Sequence, residues 1–372
     1  MAMFEDKKKD REILTVVGLM SGTSLDGADA AIIKTDGVHI FEHGPARSVS
    51  YEQGFRDRLR ACLGKSIATA SMIEEFTQFQ IAMVENLLAE NGLSANAIDL
   101  IGFHGQTIFH DPANKVTVQI GDGQMMADMM GIDTVSGFRA QDVAAGGEGA
   151  PFASLYHRAL AGDLAGPLAV LNLGGVGNVT YIDGEDVLAF DTGPANALVD
   201  DWVLRHTSQP FDAEGRIAVK GEVDQDAVEK LLDNPYFDAR PPKSLDRDEF
   251  PTGVIEGLSL EDGAATLLRF TSESIKRALD HLPSLPRRWL LTGGGRKNPE
   301  LVRLIAEAVG APVGPVEDVG WRGDDLEAEA FAFLAVRSLK GLPLSLPTTT
   351  NVPKPLTGGT LYSANVASSK TA

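Results

Sequence analysis

Apolar positions along the chain fall in short runs separated by turn-forming residues. Residues 13–20 (ILTVVGLM) form a β-rich apolar run, SGTSLDG is a turn cluster, and ADAAIIK alternates up to Thr35-Asp36-Gly37. VHIFEH opens a third run. Strands joined by Gly-containing turns predict a β-meander rather than a strand–loop–helix unit. Helical spacing then predicts helices over about 51–63 and 72–90. Ser71 and Glu74 form a capping box for the second, and Gly92 lies beyond its end. IDLIGF (98–103) and VTVQI (116–120) read as strands, GQMMADMM as a short helix before IDTV, and SGFRAQDVAAGGEGAP (136–151) as a Gly-rich loop. A helix follows from about Phe152.

The pattern then restarts. LAVLNLGGVGNVTYIDGEDVLAF (168–190) reads as strand, Gly turn, strand, turn, strand. Helices are expected near 195–206, 224–233 and 260–281. RRWLLTG (287–293) is a strand leading into a helix with Asn298 as N-cap and Pro299 at its first position. A last helix over about 325–340 stops at Gly341. This weak repeat of pattern predicts two related α/β lobes with a ligand cleft between them. The expected boundaries are 1–140 and 141–344, and the Pro/Thr-rich tail 345–372 is a candidate to return to the first lobe.

Charge narrows the partners. Lys+Arg number 33 against 52 Asp+Glu, a net −19. So acidic a chain is unsuited to nucleic acid or to an anionic membrane surface. Lys7–Lys9, Ile13–Met20 and Ala28-Asp29-Ala30 mimic a signal peptide, but Asp10, Glu12, Asp26 and Asp29 interrupt it. The expectation is a cytoplasmic protein with no membrane partner. The lone Cys62, at helical spacing, excludes a disulfide framework and reads as a packed thiol. His104 and His110 are unpersuasive as a metal pair.

Candidate chemistry lies in the Gly-rich turns. The first is Met20-Ser21-Gly22-Thr23-Ser24-Leu25-Asp26-Gly27, and the second is Leu173-Gly174-Gly175-Val176-Gly177-Asn178. Glycines let backbone N–H groups converge on an anion, and hydroxyls add donors. Either turn alone is more readily an ordinary hairpin. Two in register, with a third loop at Gly293-Gly294-Gly295, point to a nucleotide. No GxxxxGK[ST] occurs, and no helix follows directly as a dinucleotide fingerprint requires. Asp191 closes the run VLAF before Thr192-Gly193-Pro194 and a helix, a setting for an ionised base or for a capping aspartate. Asp26, beside phosphates, needs a cation between, which reads as Mg²⁺ through water; its alternative is a turn-forming residue.

GLMSGTSLDGADAA, IGFHGQTIFHDP, TVQIGDG, GFRAQDVAAGGEGAP, LNLGGVGNVT, FDTGPANALVDDW, LTGGGRKNP and LEAEAFAFLA, in order, resemble anhydro-N-acetylmuramic acid kinases over nearly the whole chain. MSGTSLDG with FDTGP marks that family and its relative levoglucosan kinase. The resemblance implies two ribonuclease-H-like lobes of actin/hexokinase type with an interlobe active-site cleft. It implies an ATP-dependent enzyme of cell-wall recycling. With water, that enzyme opens 1,6-anhydro-N-acetylmuramic acid and phosphorylates O6. It implies ATP at Gly22, Thr23, Ser24, Leu25, Asp26, Gly27, Ala28 and Asp29, at Gly174, Gly175, Gly177 and Asn178, and at Gly293–Gly295. It puts the sugar at Glu327, Arg139, His104, Gly193 and Asn196, makes Asp191 the base for water, and implies a homodimer. Acetal cleavage normally uses two carboxylates. Capture of the leaving oxygen by phosphorus makes the acid unnecessary, so one can suffice.

The chain departs from the family pattern at Ala140, Gln141 and Glu148, at Ala195, and at Leu245-Asp246 where Thr-Gly is common. None of these departures is expected to touch Asp191 or the phosphate turns. A plain anhydrohexose kinase and a nucleotide-dependent sensor remain as other readings, and a base in the cleft counts against the sensor.

Overall fold

The structure, a computed structural model, describes residues 13–22, 24–162, 164–245, 249–250 and 252–365. The strands of the first half are β1 (Leu14–Ser21), β2 (Gly27–Thr35), β3 (Ile40–Ser50), β4 (Leu100–Asp111), β5 (Val116–Ile120) and β6 (Thr134–Ser136). The second half carries β7 (Leu168–Leu173), β8 (Val176–Asp183), β9 (Asp186–Pro194), β10 (Arg288–Thr292) and β11 (Val313–Pro315), and β12 (Thr360–Tyr362) comes last. They form two sheets. One has the order β12-β6-β4-β1-β2-β3, with β5 on β4, and the other β11-β10-β7-β8-β9.

The repeat read as pattern is a repeat of topology. In the first sheet β1 pairs antiparallel with β2 and parallel with β4, and β4 pairs parallel with β6. In the second, β7 pairs antiparallel with β8 and parallel with β10, and β10 pairs parallel with β11. The order 3-2-1-4-5 with an antiparallel second strand is the ribonuclease-H-like arrangement, present twice. Apolar side chains pack each sheet: Leu19, Phe76, Val84, Ile101 and Phe103 in one core, Leu171, Phe190, Trp202, Phe270 and Trp289 in the other. Each such burial stabilises by about 1.5–3 kcal/mol.

The chain divides into two compact units, Met1–Leu160 with Asp325–Ala372, and Ala161–Asp324. The divisions differ from those expected at 140/141 and 344/345. At the first, Tyr156 Oη donates to Glu329 Oε2 at 2.6 Å, which ties the segment after 140 to the first unit. At the second, the helix Leu326–Leu339 lays Ala328, Phe331 and Ala332 on the first sheet, where Gly18 of β1 and Gly102 of β4 leave room for its backbone. The tail returns to the same sheet through β12, paired with β6.

Local signals hold with two differences: the run 136–151, read as a Gly-rich loop, carries a short helix at Ala140–Ala144, and the long helix of the first half starts early. Asn298 Oδ1 accepts from the N–H groups of Glu300 and Leu301 behind Pro299, as read. The long helix runs Ala70–Glu90, and its N-cap is Thr69, whose side chain accepts from Met72 N, not the Ser71–Glu74 box. The start lies two residues earlier, so Ser71 falls inside the first turn. Among the described residues no helix is long and apolar enough to cross a membrane.

Candidate active site

In the second unit, Asp191 lies within β9, opposite Asn178 of β8. It is 7% exposed. The helix that follows is capped by Asn196 and begins at Ala197, so Asp191 is not a helix cap. A register shift in β8–β9 between Gly177 and Asn178 interrupts the ladder beside it. A distant segment closes around it. Asp191 N donates to Lys243 O at 3.0 Å, Tyr236 Oη donates to Asp191 O at 2.5 Å, and Leu245 N donates to Oδ2 at 2.9 Å. The departure at Leu245 therefore does touch Asp191, through its backbone. A contact spanning 54 residues leaves no local trace. Asp246 lies outside the described residues.

Lys243 is 8% exposed, and its ammonium donates to Tyr236 O at 2.7 Å and Phe237 O at 3.2 Å. It sits 4.5 Å from the centre of the Tyr236 ring. Burial holds its amine down, to about 8, against a smaller opposing pull from Asp238.

Two Gly-rich loops of this unit meet. Gly174-Gly175 is the two-residue turn between β7 and β8, and Gly177 and Asn178 are already in β8, opposite Gly193 and Asp191. Asn196 N donates to Gly174 O at 2.9 Å, and its side-chain Nδ2 to Leu173 O at 2.7 Å. Asn196 thus braces the turn. The third loop lies against it: a Cβ at Gly295 would meet Leu173 Cβ at 2.7 Å and Asn196 Oδ1 at 2.8 Å. Gly294 stands beside it in the same 3₁₀ turn, which Gly293 caps. Gly193 packs on Ser274 of the helix Leu260–Ala278.

In the first unit, the turn after β1 is braced from behind. Ser21 Oγ lies 2.5 Å from Tyr51 Oη and donates to Gln106 Oε1 at 2.5 Å, while Gln106 Nε2 donates to Gly22 O at 3.2 Å. Burial pushes the Tyr51 phenol up. Leu25 has φ 55° and is 1% exposed, and Ala28 is equally buried. Both side chains are core, so only their backbone faces the turn. Asp26 is exposed, with Ser24 Oγ donating to its Oδ1 at 2.8 Å. Gly27 opens β2, and Asp29 stands half-buried opposite Met20. Thr23 lies outside the described residues.

His104 and Arg139 come together in this unit. His104 is 2% exposed; Nδ1 donates to Gly105 O at 2.7 Å and Nε2 accepts from Arg139 Nε at 3.1 Å. One nitrogen donating and the other accepting defines a neutral ring. Burial first, and the Arg139 charge second, hold its pKa well below the usual histidine range. His110 is likewise occupied, by Thr117 Oγ1 at 3.0 Å and Glu148 O at 2.9 Å. Asp142 Oδ1 accepts from Gly149 N at 2.8 Å and Oδ2 from Thr350 Oγ1 at 2.6 Å, which anchors the Gly-rich loop to the tail. Glu327 is half-buried in the first turn of Leu326–Leu339. Glu329, two residues on and so on the opposite side of the helix, is fully buried between His43 and Tyr156.

A family model described as anhydro-N-acetylmuramic acid kinase matches residues 14–364. This chain belongs to the anhydro-N-acetylmuramic acid kinase family. The anhydro-N-acetylmuramic acid kinase of Paramagnetospirillum magneticum is 52% identical to it over 350 residues, 93% of this chain and 99% of that one. That of Rhodospirillum rubrum is 49% identical over 366 residues, 96% and 97% of the two chains. That of Rhizorhabdus wittichii is 49% identical over 360 residues, 94% and 99%.

For a member of this kinase family, residues outside the recognised motifs stand next to those inside them. Tyr236, Lys243 and Leu245 touch Asp191, and Tyr51 braces the first turn together with Gln106 of the IGFHGQTIFHDP run. Lysine between prolines and acidic residues in PPKSLDRDEF reads as surface, so no local signal marks Lys243. Gln106 had one, its place in the IGFHGQTIFHDP run two residues from His104.

Proposed function

We propose that this chain converts 1,6-anhydro-N-acetylmuramic acid, ATP and water to N-acetylmuramic acid 6-phosphate and ADP, in the recycling of cell-wall sugars in the cytoplasm. The observation that carries the reading is Asp191: a buried carboxylate whose Oδ2 is held by the N–H of Leu245, in the strand beside a Gly-Gly hairpin. Family membership supplies the substrate class.

Asp191 takes a proton from water as the water oxygen bonds to C1. The C1–O6 bond breaks, O6 bonds to the γ-phosphorus, and the bond from that phosphorus to the β,γ-bridging oxygen breaks, releasing ADP. The proton passes from Asp191 to solvent. Backbone N–H groups of the turns at Gly22–Gly27, Gly174-Gly175 and Gly293–Gly295 take the phosphates. Arg139, oriented by His104, takes the lactyl carboxylate, and Glu327 takes a sugar hydroxyl.

The residues fit Mg²⁺. Asp26 offers an exposed carboxylate, and among the described residues no three His, Cys, Asp or Glu side chains cluster as an all-protein cage. Magnesium is commonly held by one or two carboxylates with substrate phosphates and waters. Bound there, it neutralises phosphate charge.

Turnover in ¹⁸O-labelled water tests the reading. Label should appear on C1 of the product and be absent from its phosphate. Label in the phosphate overturns it. Turnover of levoglucosan in preference to the lactyl-bearing sugar would instead assign a plain anhydrohexose.

A further inference from the structure

We propose that the segment from Tyr236 to Leu245 is a positioning clamp for Asp191, with Lys243 as its latch. This rests on Asp191 being the base and says what holds that base in register.

The clamp follows from the strand's place. β9 ends the strand order of its sheet, and among the described residues no strand pairs with its other side. Asp191 turns its N–H and C=O to that side, and the segment meets both, the N–H through Lys243 O and the carbonyl through Tyr236 Oη. The third contact, from Leu245 N, is to the carboxylate itself. Main chain and side chain of one residue are thus fixed from a single distant segment. An N–H donor on one carboxylate oxygen favours the ionised form and restricts rotation of the group.

The segment is closed on itself by Lys243. Its backbone oxygen takes the Asp191 N–H while its ammonium reaches back to Tyr236 O and Phe237 O, over the Tyr236 ring. His281 Nε2 also donates to Phe237 O, at 2.7 Å. A cation sequestered with two carbonyls and a ring face is costly to bury unless those contacts are kept. Lys243 therefore acts through Tyr236 and through its own backbone, not on substrate. A base must lie within hydrogen-bond reach of the water it deprotonates, and an error of ~1 Å costs on the order of 10²-fold in rate.

The test uses Tyr236→Phe, which removes only the hydroxyl, and Lys243→Met, which removes the charge at similar length, in the full chain. Each should lower kcat about 10- to 100-fold, with KM for ATP and sugar within about twofold. Lys243→Arg, which keeps a cation and donors, should recover most of the loss. Adding Tyr236→Phe to Asp191→Asn should cost nothing further, because no base remains to be held. If Lys243→Met does not fold, Tyr236→Phe alone decides. Variants with wild-type kcat, losses shared equally between kcat and KM, or a loss that multiplies onto Asp191→Asn would each overturn the clamp. A slow Asp191→Asn beside a wild-type-like Tyr236→Phe would leave the base reading standing. A fast Asp191→Asn would remove the base reading itself.

Discussion

Gly18 and Gly102 are opposite each other in the parallel pair β1–β4, and the backbone of the helix Leu326–Leu339 lies on both. A Cβ on Gly18 would overlap the carbonyl oxygen of Ala328, and one on Gly102 that of Phe331. Backbone, unlike a flexible side-chain end, has nowhere to move without lifting the helix. Gly18→Ala and Gly102→Ala should each destabilise by at least about 1–3 kcal/mol, the usual cost of overpacking. Thermal unfolding should show this as a fall of several degrees for each variant. Midpoints unchanged from wild type would show that the helix does not rest on these glycines.

Asp191→Asn keeps the size of the side chain and removes the proton acceptor. We expect kcat to drop by ~10²–10⁴-fold. ATP affinity should be retained, because the loops at Gly174-Gly175 and Gly293–Gly295 are braced by Asn196 and Leu173, not by Asp191. Steady-state kinetics with nucleotide titration checks both halves of this expectation.

His104 serves Arg139. His104→Leu deletes the acceptor for Arg139 Nε and so removes that constraint on the cation's orientation. A hydrogen bond to a charged group contributes about 1.5–3 kcal/mol, so KM for the lactyl-bearing sugar should rise about 10-fold or more. Levoglucosan, which has no carboxylate, should be handled as before. An equal rise for both sugars would mean that His104 shapes the pocket rather than orienting the arginine.

Two buried histidines make stability fall on the acid side of neutrality. Burial holds His157 down, to about 3, and His104 well below the ordinary 6.5. Below about 6.5 the unfolded chain binds protons there that the folded chain does not, so stability is lost as pH falls toward 3. The slope is at most about 1.4 kcal/mol per pH unit for each histidine. Asp128 and Asp262, held down chiefly by backbone hydrogen bonds, lose their contribution below about 4, outside most of this window. Urea unfolding at pH 7.5 and 5 should therefore show a difference that shrinks in His157→Leu. An undiminished difference would place the acid sensitivity elsewhere.

Chelation should abolish turnover. In the proposed site Asp26 brings a carboxylate toward nucleotide phosphates, and a divalent ion between them would offset the repulsion. Activity should vanish in EDTA and return with added Mg²⁺, and full turnover in chelator would exclude the ion.

The sequence by itself determined most of the elements and the Gly turns, though not the short helix Ala140–Ala144. Alternation in ADAAIIK made β2, the Gly-Gly pair made the two-residue turn between β7 and β8, and Asn298-Pro299 started a helix, because each depends on residues a few positions apart. The recurrence of strand, Gly turn and strand foretold two sheets of one topology. Only the tertiary structure decided which sheet owned the helix Leu326–Leu339, since its apolar face suits any sheet and its seat depends on Gly18 and Gly102, far earlier in the chain. Only it brought Tyr236, Lys243 and Leu245 to Asp191 and His104 to Arg139. Those contacts join main-chain groups and polar side chains across long stretches of chain. A backbone N–H carries no residue-specific signal, and a lysine in a polar segment looks solvated until a sheet edge needs covering.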